Sequence, residues 1–239
     1  MPTNDTKNSN TRKWDNGKLW GWVAFAPAGA RLANTARRVD VQLYVGRLKD
    51  MNESLDNVSG IFDHREGLIM ISMDQKFGEA AAAFVHELEH ARQFIDGEWK
   101  SPTSLPLEDY VSHRLQMERN AETKSNQVAF ELSERNFKHL RQEKEAASFC
   151  FRAQAAAYFA SRDRGETHEQ ARKASEHMWD ASSARQDYLD QFTTEYQKAQ
   201  EQKRKREAIL SMTSSSRKSA KKRTQDIENE VSLGPTLEM

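Results

Sequence analysis

Phe84-Val85-His86-Glu87-Leu88-Glu89-His90-Ala91-Arg92-Gln93 is the stretch from which the fold is read. It holds the spacing His-Glu-x-x-His. On a helix, residues four apart lie one turn apart on the same face, so His86 and His90 can offer two imidazole nitrogens to one Zn²⁺ ion. Glu87 falls beside such an ion rather than on it, where a carboxylate can take a proton from a water that the metal activates. Ala80 to Phe84 before the motif and Ala91, Phe94 and Ile95 after it make an amphipathic helix, with the histidine pair in a small-residue face. Two solvated histidines on a surface helix would not need that apolar frame.

Working outward, the motif helix is expected over about Phe77 to Ile95, stopped by Asp96-Gly97. Before it, Ser59 to Ser72 reads as two short strands joined by a turn at His64 to Gly67, and Leu68 to Ser72 is the expected edge strand that pairs with an extended substrate. Further upstream, Arg38 to Leu55 begins with the alternation of a strand, and Leu19 to Ala26 reads as a strand or an apolar plug. After the helix, Pro102 and Pro106 break the chain in a loop over Glu98 to Pro106 that flanks the site. Leu107 to Phe151 lacks Pro and Gly and repeats apolar residues at helical spacing, as one long helix or two abutting ones. A helix over Ala146 to Ala160 follows, then a stop at Gly165, a start at Thr167 and a last helix from His168 to about Gln200.

Catalytic zinc takes three protein ligands and keeps one position for water, so a third ligand is sought on a later helix. Glu118, Ala121, Glu122, Ser125 and Ala129 form one stripe of the helix after the loop, with small residues where two helices must approach closely. Either Glu118 or Glu122 can reach the metal. The other then sits one turn away, placed to hydrogen-bond a ligand histidine from behind. Stabilising a developing oxyanion would need a nearby Tyr or His, for which Tyr110, His113, His177 and Tyr188 compete.

Composition adds bounds. The chain has 239 residues, of which 37% are hydrophobic and 30% charged, so a folded region with polar ends is expected: a disordered segment over 1–18, a domain over 19–200 and a basic, largely disordered tail over 201–239. Its formal net charge of zero hides ten Lys or Arg against two Glu between Lys198 and Arg223. The run Lys203-Arg204-Lys205-Arg206 could make weak contact with nucleic acid or an anionic surface, although no interleaved aromatics offer a base-reading face. One cysteine, Cys150, leaves no internal disulfide and sits in an apolar run as a buried thiol. Without an apolar stretch of membrane-spanning length or a secretory leader, a cytoplasmic protein is expected, with delivery elsewhere by a non-classical route left open.

His86-Glu87-Leu88-Glu89-His90-Ala91-Arg92-Gln93, followed by Arg114 to Glu122 and Gln127 to Leu132, resembles the Glu-zincin metallopeptidases. Within them it is most similar to an uncharacterised group of bacterial metallopeptidases whose second motif reads roughly Glu-Ala-Asp-Ala. The resemblance covers about residues 60 to 195. It implies a mainly helical α+β fold of the zincin type, bound zinc, Glu118 as third ligand, Glu87 as general base, and hydrolysis of protein or peptide substrates. Arg119 and Asn120 depart from the group's Ala and Asp, which leaves Glu122 to supply the lost charge. A competing alignment on Glu122, Ser125, Asn126, Val128 and Ala129 resembles the regulatory metallopeptidases that cleave phage-type repressors and makes Glu122 the ligand. The alternative function is a catalytically silent binding or regulatory protein that keeps the fold and acts through its helices and basic tail.

Overall fold

The computed structural model describes residues 15–56, 58–134 and 152–232. Cys150 and the segment 135–151 lie outside them, as do the first 14 residues. Among the described residues the protein is mainly helical with one small sheet, the α+β class expected.

Two short helices open the chain, α1 (Asn16–Ala24) and α2 (Pro27–Arg38). Leu19 to Ala24 is therefore helical and not a strand, and Leu19, Val23 and Ala26 plug into the core fully buried. Asp15 caps α1 by accepting from the Lys18 N–H, and Leu19 and Val23, four apart, bury one face completely. Pro27 takes the first position of α2, where its missing N–H costs nothing, and Glu131 from a distant helix accepts from the Ala28 N–H.

Strand β1 (Gln42–Gly46) leads through two 3-10 turns to β2 (Gly60–Asp63) and β3 (Leu68–Ser72). The expected hairpin forms, with Gly60 opposite Ile71 and Phe62 opposite Ile69. The sheet order is β1-β3-β2, however, and β1 pairs parallel to β3, with Leu43 opposite Ile69. Leu68–Ser72 is thus the central strand, not an edge. Its backbone is paired on both sides and its run from Ile69 to Ser72 is buried, as expected of a strand covered on both faces. The edge that lies beside the motif helix is β2.

Helix α3 (Phe77–Ile95) carries the motif, with the limits expected from sequence. Glu79 reaches back to the Lys76 N–H at its start, and Gly97 leaves it with φ +72°, a conformation a side chain would strain. Helix α4 (Leu107–Glu134) packs along α3. Close approach is possible because Ala121 and Ser125 are small, and the Ser125 hydroxyl donates to the Ala82 carbonyl at 3.1 Å. Phe84, Val85 and Leu88 from α3, Val128 and Leu132 from α4, and Ile69 and Ile71 from β3 share one core with Leu19, Val23 and Leu32.

The rest is helical: α5 (Arg152–Asp163), α6 (His168–Asp180) and α7 (Ser183–Ser232). Thr167 and Gln170 cap α6 reciprocally. The single last helix expected from His168 is broken near Ala181, where Ser182 accepts from the Arg185 N–H and starts α7 anew. α7 also continues past Gln200, where the sequence leads one to expect the helix to give way to a largely disordered tail; Lys, Arg, Gln and Glu, all good helix formers, fill the stretch from Gln200 to Glu207, which has no Pro or Gly. No helix among the described residues is long and apolar enough to cross a membrane.

Candidate metal centre

His86, Glu87 and His90 reach their places through the α3 register, and Glu118 and Glu122 through that of α4. The Nε2 atoms of His86 and His90 lie 3.0 Å apart, and Glu118 Oε2 lies 3.2 Å from each. These three form a group that could hold a metal ion. Ligands about 2.0–2.1 Å from a tetrahedral ion stand roughly 3.3 Å from one another, so the observed triangle is close to one face of such a site. Of the two acidic residues weighed from sequence, Glu118 faces both imidazoles, while Glu122 Oε2 stands 3.7 Å from His86 Nδ1, behind the ring.

Charge supports the same conclusion. Glu87, Glu118 and Glu122 are 7%, 5% and 6% exposed, and among the described residues no Lys or Arg forms an ion pair with any of them. Three carboxylates held out of water need a positive charge nearby. The effect on His86 is direct: burial works against its charged form, yet Glu118, Glu122 and Glu87 together hold its pKa well above the ordinary value. Burial likewise works against the charged form of Glu118, but the two imidazoles hold its carboxyl well below the usual range. A divalent cation in the triangle would supply that positive charge more fully than one imidazolium does.

Glu87 is held differently. Burial pushes its carboxyl up, opposed by the histidines and by the nearby Phe62 N–H of β2. Gly60 makes this approach possible: a Cβ there would stand 3.1 Å from Glu87 Cγ and 2.9 Å from Ile71 Cδ1.

Two further groups escaped the sequence reading. Gln93 is fully buried and accepts from His90 Nδ1–H at 2.8 Å, while its amide donates to the Met117 carbonyl of α4 at 3.0 Å. That bond fixes the His90 tautomer, leaving the Nε2 lone pair for the triangle. The signal was present, since Gln93 follows His90 by three residues and shares its face. Trp99, from the loop after α3, stands edge-on to His90 at 6.4 Å and packs against His64 and Phe94, walling one side of the centre with aromatic rings.

The four residues weighed for an oxyanion role make their contacts with other groups. Tyr110 is buried with Phe192 and Tyr196 between α4 and α7, and Tyr188 stacks on Phe192 in the same cluster. His113 bonds the Glu98 carbonyl through Nε2 at 2.6 Å, and His177 is exposed on α6. The basic run Lys203 to Arg206 is exposed on α7.

Comparison with known proteins agrees with this geometry. No curated protein and no solved structure matches the chain. One family model matches residues 44–217, from β1 into α7 and across every residue of the cluster. The chain therefore belongs to the family described as "Putative metallopeptidase family (DUF6782)".

Proposed function

We propose that the protein is a zinc-dependent peptidase of the zincin type. The observation that carries this reading is the triangle of His86 Nε2, His90 Nε2 and Glu118 Oε2, with edges of 3.0 to 3.2 Å and a buried carboxylate beside it. Two imidazoles and one carboxylate are a donor set suited to zinc with one position open. When bound there, zinc would polarise the scissile carbonyl and make an attacking water more acidic.

The chain's own residues have distinct parts. Glu87 takes the proton from the attacking water and delivers it to the leaving amine, and its burial beside the triangle leaves it within reach of both. The space left by Gly60 lets that carboxylate sit against the edge of β2. Gln93 and Glu122 orient His90 and His86 from behind. An extended substrate would lie along β2, the edge strand next to Glu87, and not along β3. Trp99 and Phe94 would meet its side chains on the His90 side.

Glu87→Gln tests the reading. The variant should keep stoichiometric zinc and lose turnover, read as protein termini present in the proteome of cells expressing the unaltered chain and missing with the variant. Identical termini in both would favour a silent binding protein of this fold.

A further inference from the structure

An unpaired cation borders the metal centre. Arg114 lies four residues before Glu118 on α4, so the two share one stripe of the helix about 6 Å apart along its axis. Its guanidinium carbon stands 4.6 Å from the centre of the Trp99 ring, and that ring stands 6.4 Å from the His90 ring. Arg114 and the ligand His90 therefore contact the same tryptophan.

What holds the guanidinium is aromatic. It also lies over the Phe192 ring of α7, at 4.8 Å. Cation–π contact engages its charge and its plane and leaves its N–H groups unused. Nε is buried without a hydrogen-bond partner, whereas the two terminal nitrogens keep contact with solvent, and among the described residues no carboxylate or carbonyl takes any of the three. Other part-buried arginines are answered by acids, Arg92 by Glu89, Asp96 and Glu98, and Arg172 by Glu169 and Glu176. Arg114 is left open beside the centre.

Trp99 also ties this cation to the substrate strand. His64, just past the end of β2, packs on Trp99 at 4.8 Å, so the tryptophan bridges the end of β2 to Arg114 on α4. A chain lying extended along β2 advances about 3.3 Å per residue. The two steps from His90 through Trp99, 6.4 and 4.6 Å, therefore bring the guanidinium within about three residues of a bond held at the triangle.

We propose that Arg114 is a specificity-determining residue, whose terminal nitrogens receive a carboxylate of the substrate within about three residues of the bond that is cleaved. That carboxylate is an acidic side chain or a free C-terminus, and the proposal rests on the peptidase reading above. A carboxylate meets the edge of a guanidinium with two parallel charge-assisted hydrogen bonds. A neutral amide in the same place offers one weaker acceptor and no charge.

The test uses acetylated hexapeptides that scan Asp against Asn and Glu against Gln through every position, each made with a free and with an amidated C-terminus. Selection on the immobilised, zinc-loaded full chain carrying Glu87→Gln, read by mass spectrometry, should favour carboxylate over amide by about tenfold or more. Preference for the free terminus names that source; preference for Asp or Glu in the amidated set names a side chain. Adding Arg114→Gln should bring the preference to within about twofold, and Arg114→Lys, which keeps the charge but not the planar fork, should lower it about threefold. Circular dichroism checks folding, and Arg114→Lys carries the test if Arg114→Gln does not fold. Retention of no peptide, retention without carboxylate preference, or an unchanged preference in a folded Arg114 variant, which would assign it to the zinc, each overturns the proposal. Incubating the same peptides with the unaltered chain tests the reading beneath it. Cleavage indifferent to carboxylates sinks the role of Arg114 alone, whereas carboxylate-selective retention without any cleavage sinks the peptidase reading and leaves Arg114 as the anion-binding residue.

Discussion

Gln93→Leu isolates what a group behind the metal triangle contributes. The side chain is fully buried and makes two hydrogen bonds, accepting from His90 Nδ1–H at 2.8 Å and donating to the Met117 carbonyl at 3.0 Å. Leucine keeps most of the volume and removes both partners. Losing the bond that orients a ligand histidine typically lowers metal affinity 10- to 100-fold, or about 1.4 to 2.7 kcal/mol. Separately, a buried N–H and a buried carbonyl left unpaired cost about 1 to 3 kcal/mol each, offset in part by the added apolar contact. At roughly 2–4 °C per kcal/mol for a chain of this size, the protein stripped by chelator should melt several degrees lower.

The two effects separate in a second variant. Glu at position 93 still accepts from His90 but faces the Met117 carbonyl with an acceptor, so Gln93→Glu should lose stability and keep most of the zinc affinity. Zinc affinity would be measured by competition with a chromophoric chelator, and stability by calorimetry of the chelated protein. If Gln93→Leu loses stability while its zinc affinity stays within twofold, Gln93 packs the helix pair and does not orient His90.

Three other outcomes are expected. Gly60→Ala places a Cβ 3.1 Å from Glu87 Cγ, so turnover should fall up to about tenfold through displacement of the base by a fraction of an ångström, with zinc content unchanged in metal analysis. Glu118→Gln should abolish stoichiometric zinc, whereas Glu122→Gln, which touches only the far side of His86 at 3.7 Å, should weaken it about 10- to 100-fold in the same competition assay. Thr167→Ala removes the cap of α6 and should cost about 1 kcal/mol, read as a drop of about 2–4 °C in Tm, with no change in zinc affinity.

Much of the site was legible because helical periodicity carries position. His86, Glu87 and His90 on one helix, and Glu118 and Glu122 on another, need only a 3.6-residue repeat and small residues between them for convergence to be read from the chain. That repeat did not decide which glutamate faces both imidazoles, because Glu118 and Glu122 share a stripe; the rotation of α4 against α3 decides it. Neighbours of β3 could not be read either. A strand's sequence does not say who pairs with it, and the parallel addition of β1 moved Leu68–Ser72 from edge to centre. The run Leu19 to Ala26 is apolar enough for either period, and the burial of Leu19 and Val23, four apart, against the core goes with a helix as far as Ala24. Trp99 and Gln93 lay in plain sight, but their contacts depend on how the loop after α3 folds back and on which helix lies behind His90.

The centre itself is most directly tested by anomalous diffraction at the zinc edge from crystals of the zinc-loaded full chain. A single strong peak is expected about 2.0–2.2 Å from His86 Nε2, His90 Nε2 and Glu118 Oε2. Stoichiometric zinc bound anywhere else, or no peak among those three atoms, would contradict it.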